Sequence, residues 1–363
     1  MTDVARAPGV VAHAALGRLS VIDRLLPLWI LVAMAAGLVL GQWFPGLGPA
    51  LERVKVAGVS LPIAVGLLWM MYPVLARVRY DAIGTRVREP GVMIASLVLN
   101  WIAGPVLMFT LAWFLLADLP AYRNGLVLIG LARCIAMVLI WNSLAGGSRE
   151  LAAVLVAFNS LFQIATYSVL GYFFLSVVPT WLGAEGATVE VSMWLIAKSV
   201  LLFLGVPLVA GYLTRRSLVR SRGESWYESV FIRRVGPTAL LGLLYTIVLM
   251  FAMQGARIIA APLDVLRIAV PLVLYFALMF SIAMLASRAL GFAYPTAASV
   301  SFTAAGNNFE LAIAVAVASF GIGSGEALAA VVGPLIEVPV LVGLVYVSRW
   351  SRAQLFPGAA GVR

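Results

Sequence analysis

Ten times along this chain an apolar run of about 20 residues recurs, each long enough for a helix to cross a bilayer. The runs occupy residues 25–43, 57–76, 91–116, 124–144, 151–178, 191–213, 236–255, 262–287, 296–320 and 327–348. In hydrocarbon every backbone N–H and C=O must be paired within the protein, so only helices and closed barrels can span it. Barrel strands are excluded, because the runs are too long and lack period-two alternation. Only 11% of the residues are charged, against roughly a quarter in a soluble domain. The expected fold is therefore an all-α membrane protein with ten transmembrane helices.

Charge sets orientation. The net charge is +10, which in a soluble chain would suggest a nucleic-acid partner. Here the basic residues sit in short gaps between apolar runs, so no nucleic acid is expected and the lipid bilayer is the partner. One side of the alternating loops holds 18 Lys and Arg, among them Arg77, Arg79, Arg86, Arg88, Arg215, Arg216, Arg220 and Arg222; the other side holds 5. By the positive-inside rule both termini face the cytoplasm, in a multi-pass protein of the plasma (inner) membrane. The first run is long enough to span, so no cleavable signal peptide is expected. One cysteine, Cys134, and one histidine, His13, exclude an intrachain disulfide and a structural zinc site. No cofactor is expected.

The chain also repeats weakly. Gln163 and Glu337 lie at matching points of runs 5 and 10, 174 residues apart. The same offset sets Cys134 on Asn308 and Gly37 on Gly211. Pro62 with Gly66-Leu-Leu-Trp69 falls within two residues of Pro237 with Gly242-Leu-Leu-Tyr245. Five runs per half is an odd number, so the second half must start from the opposite face: an inverted-topology repeat, the plan of many secondary transporters. The expected organisation is a cytoplasmic leader (1–24), a first five-helix repeat (25–178), a second (191–350) and a cytoplasmic tail (351–363), forming one membrane domain.

In such carriers the site lies where matching helices are interrupted. Run 9 contains Thr303-Ala-Ala-Gly306-Asn307-Asn308-Phe-Glu310. Glycine and paired asparagines are poor mid-helix residues, and unwound backbone is tolerated in a membrane only where protein or a cavity surrounds it. A break is expected here, against the alternative of a continuous helix packed closely through its small residues. Run 4, Leu131-Ala-Arg133-Cys134-Ile-Ala-Met137, has no strong breaker, and its interruption follows from the repeat alone. Glu310 near mid-span costs about 2.5–3.5 kcal/mol if charged; it suits a proton carrier, or else a carboxyl permanently bonded to a neighbour. Glu337, between Pro334 and Pro339, suits coupling or bracing of the break. Arg133 needs an acidic or carbonyl partner; Glu337, Glu310 and the carbonyls of a half-helix end are all open. Cys134 is a soft ligand. A single thiol beside a proton-binding carboxyl suits a soft, thiophilic solute that must be released every cycle.

No motif of an ATP motor, hydrolase triad or HExxH protease is present, so an enzyme is not expected. From a different class, a non-transporting membrane sensor would ordinarily carry a soluble output domain, and no such segment is evident.

Gly130-Leu-Ala-Arg-Cys134-Ile-Ala-Met-Val138 with Trp141-Asn142, Phe302-Thr-Ala-Ala-Gly-Asn-Asn-Phe-Glu310-Leu-Ala-Ile-Ala-Val315 and Gly333-Pro-Leu-Ile-Glu337-Val-Pro-Val340 resemble the arsenite efflux permeases of the arsenical-resistance type, within the bile acid/arsenite/riboflavin transporter superfamily. Leu19-Ser-Val-Ile-Asp23-Arg24, Asn100-Trp101 with Gly104-Pro105, and Trp226-Tyr-Glu228 match as well. The resemblance implies ten transmembrane helices and efflux of trivalent arsenic, sometimes antimony, in exchange for protons. It also implies that Cys134 and Glu310 are the functional pair, the metalloid being substrate and no metal being resident. Asn307 and Asn308 join the expected binding set, with Arg133, Glu337 and Gln163 in supporting or coupling roles. The competing reading is a sodium-coupled organic anion symporter of the same architecture, with Asn307, Asn308, Gln163 and unwound carbonyls as sodium ligands; such a carrier has no need of the cysteine.

Overall fold

The computed structural model describes residues 25–44, 46–51, 53–56, 59–79, 90–135, 137–183, 192–260 and 262–356. The expected leader with His13, the Leu19–Arg24 motif, Arg86 and Arg88 of the basic loop, and the end of the tail lie outside the described residues. The described chain is almost wholly helical. Its main helices are α1 (Leu26–Trp43), α2 (Leu61–Ala76), α3 (Pro90–Leu115), α4 (Pro120–Leu131), α5 (Val138–Ala145) and α6 (Arg149–Trp181). There follow α7 (Met193–Arg222), α8 (Thr238–Ala260), α9 (Pro262–Ala289), α10 (Tyr294–Ala305), α11 (Phe309–Phe320) and α12 (Gly325–Leu355). Among the described residues, six helical stretches are long and apolar enough to cross a membrane: Pro90–Leu115, Arg149–Trp181, Met193–Arg222, Glu224–Met253, Pro262–Ala289 and Gly325–Leu355.

The starts follow local chemistry. Pro62, Pro120 and Pro295 stand in the first turns of α2, α4 and α10, where a missing N–H costs nothing. Ser148, Ser192 and Ser324 accept the N–H three residues on, capping α6, α7 and α12. Inside α3, α6 and α7 a five-residue π-helical stretch (Leu99–Ala103, Phe173–Val177, Leu201–Gly205) is followed two residues later by Pro105, Pro179 and Pro207. A proline ring clashes with the carbonyl one turn back; widening that turn makes room without ending the helix.

Several ends differ from the apolar runs. A two-stranded antiparallel ribbon, Lys55–Val56 with Val59–Ser60, occupies the start of run 2, and the helix begins only at Leu61. Helix α7 continues to Arg222 and α12 to Leu355, past the apolar limits of 213 and 348. Apolarity marks where the lipid ends, whereas a helix continues as far as its backbone pairs internally.

Packing is closest through glycine. A Cβ on Gly37 would stand 2.6 Å from Val248 O of α8, and one on Gly211 2.7 Å from Ala76 N of α2. Helix α1 therefore lies backbone to backbone on α8, and α7 on α2. Residues 174 apart in sequence make equivalent contacts. Large side chains exposed along the helices, such as Leu31, Val32 and Ile102, face outward, with Trp43, Trp181, Trp194 and Trp350 exposed near helix ends, where tryptophan suits the membrane interface. The α3–α4 turn is tied to the start of α9 by Tyr122 Oη donating to Asp264 Oδ2 at 2.8 Å and by an Arg267–Asp118 ion pair.

Candidate functional site

Runs 4 and 9 are both broken. Run 4 divides into α4 and α5, separated by 132–137, and run 9 into α10 and α11, separated by Gly306-Asn307-Asn308. Ala132 and Gly306 are extended (φ −87, ψ 117 and φ −72, ψ 145), so each half-helix ends in a short strand-like segment. The two segments pair antiparallel, with Arg133 opposite Asn307. Cys134 N donates to Gly306 O at 3.2 Å and Asn308 N to Ala132 O at 3.0 Å.

The remaining backbone donors are taken by side chains from neighbouring helices. Arg133 N donates to Gln163 Oε1 of α6 at 3.0 Å, and Asn307 N to Glu337 Oε1 of α12 at 3.2 Å. Both acceptors are buried and stand 30 residues beyond their donors. An unpaired buried N–H costs about 1–3 kcal/mol, so these two side chains are what makes the breaks affordable in a membrane interior.

The central side chains then cross over. Arg133 NH1 donates to Ala304 O, in the last turn of α10, at 3.2 Å and to Tyr275 Oη of α9 at 2.9 Å. Asn307 Nδ2 donates to Ile129 O and Ala132 O, at the end of α4, at 2.8 and 3.1 Å. Each break thus caps the C-terminal end of the opposite half-helix, where free carbonyls and the negative end of the helix dipole favour a donor or cation. Arg133 takes the carbonyl alternative: its partners are a carbonyl and a phenol, with neither Glu337 nor Glu310 in an ion pair to it.

Cys134 is buried, and its Sγ would lie 3.6 Å from a Cβ on Gly306. Asn308 Oδ1 accepts Leu311 N at 3.1 Å and so caps α11. Glu310 stands in the first turn of α11, where a carboxylate is favoured. It is only half-buried, whereas Ala132 to Ile135 and Gly306 to Asn308 are buried. Glu310 follows the Gly306-Asn307-Asn308 break by two residues, and Glu337 is bonded to that break through Asn307 N. All seven residues singled out in the sequence therefore meet around one crossing.

Two contributors escaped the sequence reading. Tyr275, fully buried, orients Arg133. Tyr167 Oη donates to Leu128 O of α4 at 2.8 Å, steadying the last turn before the break. The available signal was a tyrosine far from either end of its run, since a phenol in mid-membrane needs a partner.

The crossed breaks, buried polar lattice and outward apolar faces define an integral, multi-pass membrane protein. Residues 64–261 match the Sodium Bile acid symporter family. The chain is 53% identical over 340 residues to the arsenical-resistance protein Acr3 of Corynebacterium glutamicum, covering 94% of this chain and 92% of that protein. It is 35% identical to the arsenical-resistance protein Acr3 of Alkaliphilus metalliredigens, over 93% of this chain and 95% of the relative. An uncharacterized transporter of Synechocystis sp. is 36% identical, over 92% and 90%. The chain belongs to the Sodium Bile acid symporter family and, within it, to the Acr3 arsenical-resistance proteins.

Proposed function

We propose that this protein exports trivalent arsenic from the cytoplasm in exchange for protons, with antimonite as a second substrate by the same soft chemistry. The observation that carries the reading is a lone buried thiol, Cys134, backbone-paired to the Gly306–Asn308 break whose next helix opens with Glu310. The arsenical-resistance proteins named above support the substrate class. Neutral arsenous acid exchanges one hydroxyl for the Cys134 thiol: an As–S bond forms, an As–O bond breaks, and the thiol proton leaves with the hydroxyl as water. Trivalent arsenic is a soft centre that favours sulfur. Glu310 gives and takes the coupled proton, Asn307 and Asn308 line the site, and Gln163, Glu337 and Arg133 hold the crossing open.

The architecture belongs to the same proposal. Ten transmembrane helices form two inverted five-helix repeats, 25–178 and 191–350, with both termini cytoplasmic. Support comes from hydrogen bonds that repeat at the 174-residue offset, Gln163 to Arg133 and Glu337 to Asn307, and from the 18-to-5 distribution of basic residues. Rocking of one helix set against the other would expose the crossing to each side in turn.

Arsenite uptake into everted membrane vesicles tests this, with and without a proton gradient. Uptake should collapse with the gradient and vanish in Cys134→Ser. Normal uptake by Cys134→Ser would remove the thiol step, and a requirement for sodium in place of the gradient would remove the coupling.

A further inference from the structure

The guanidinium of Arg133 is fully buried, and among the described residues no carboxylate forms an ion pair with it. Its NH1 bonds only neutral acceptors, Tyr275 Oη and Ala304 O. Its Nε and NH2 make no hydrogen bond within the chain, and Arg133 is in none of the ion pairs of the described residues. Two further buried donors on adjoining helices have no partner. Trp101 Nε1 lies on the π-helical turn of α3, one turn before Gly104, whose missing Cβ leaves room for Arg133 NH1 (a Cβ there would be 2.7 Å away). Asn159 Nδ2 lies on α6, one turn before the Gln163 that holds Arg133 N. The Trp101 ring packs on Phe162 at 4.8 Å, joining α3 to α6 beside these groups. Against these four unpaired donor atoms stand two unpaired acceptors, Asn100 Oδ1 on α3 and Oδ1 of Asn307, the residue opposite Arg133.

A buried cation without a counter-charge is costly, and each unpaired donor adds to the cost. A particle that only accepts hydrogen bonds and carries one negative charge would relieve both. The burial of every group named limits its size. Pleating separates this face from the thiol: Arg133 and Cys134 are successive residues of an extended segment, so their side chains point to opposite sides. Arg133 faces Gly104 and Tyr275, and Cys134 faces Gly306.

We propose that Arg133, with Trp101 and Asn159, holds a small monovalent inorganic anion of about chloride size, on the side of the crossing away from Cys134. The anion serves as counter-charge to the arginine, so stability of the crossing depends on the salt's anion and not on ionic strength alone.

The purified full chain is melted in detergent across a titration of sodium chloride against sodium gluconate at matched ionic strength. Chloride and bromide should raise the melting temperature saturably and gluconate should not. The effect should persist in Cys134→Ser, which separates this proposal from the transport reading: either can fail while the other stands. In Arg133→Lys, which keeps a charge but loses the guanidinium fork, half-saturation should weaken by about tenfold or more. Trp101→Phe should weaken it less. If Arg133→Lys does not fold, the chlorine NMR line width of chloride with the wild-type chain decides: broadening that bromide displaces supports the site, and its absence overturns it. Identical melts in chloride and gluconate, or an undiminished effect in a folded Arg133→Lys, would also overturn it. So would displacement of chloride by arsenite in Cys134→Ser, which would assign this face to the metalloid.

Discussion

Glu337 is either a brace for the broken helix or a carrier of the proton in the proposed exchange, and one pair of substitutions separates the two. Its Oε1 accepts Asn307 N at 3.2 Å in a buried setting. Glu337→Gln keeps an amide oxygen at the same reach, which is what Gln163 already supplies to Arg133 N at 3.0 Å. It also removes a buried carboxyl, so its cost should be below about 1 kcal/mol. Glu337→Leu keeps most of the volume but leaves the Asn307 N–H buried and unpaired, a loss of about 1–3 kcal/mol, or roughly five- to 160-fold in the folded-to-unfolded ratio at a fixed denaturant concentration. Gln163→Leu should lose a similar amount through Arg133 N. The assays are unfolding of the purified chain in detergent and arsenite uptake into everted vesicles. The brace account expects Glu337→Gln to melt and transport close to wild type while Glu337→Leu does neither. It is refuted if Glu337→Gln melts like wild type yet transports no better than Glu337→Leu, because only the exchangeable proton differs.

Gly37→Ala drives a methyl to within 2.6 Å of Val248 O, so α1 must separate from α8; a loss of about 1–3 kcal/mol is expected, read from the unfolding midpoint. Asn308→Ala removes the α11 cap to Leu311 N and should cost about 1 kcal/mol, while Asn308→Asp retains the cap and should melt nearer wild type. Asp118, in the α3–α4 turn, is held below the usual carboxylate range chiefly by the hydrogen bond from Arg267. A depressed folded value means that its contribution is present above the unfolded value of about 3.9 and is lost as pH falls through the folded one. Asp118→Asn should therefore lower the melting temperature slightly near neutrality and converge on wild type in acid; a difference that grows on acidification would contradict the pairing.

The candidate site was more legible than its wiring. Cys134, Glu310 and the Asn pair stood out because polar and soft residues in an apolar run have few structural reasons to be there. The Gly306-Asn307-Asn308 break was readable for the same reason, since those residues oppose a helix locally. The break at 132–137 was not, because Ala-Arg-Cys-Ile-Ala is compatible with a helix. It opens because an antiparallel partner strand and the Gln163 side chain supply its backbone with bonds that a helix would otherwise provide. Likewise, nothing local distinguishes a carboxylate from a carbonyl as the partner of Arg133.

What this sequence determined by itself was the solvent, the helical class and the candidate site residues, because hydropathy, loop charge and odd polar residues are properties of each segment alone. What only the tertiary structure decided was which donor meets which acceptor: Gln163 with Arg133, Glu337 with Asn307, Arg133 with Tyr275 and the end of α10. Those pairings join helices 30 to 171 residues apart, and hydrogen bonds are short and directional, so they are settled only when the packed helices bring the groups within about 3 Å of one another.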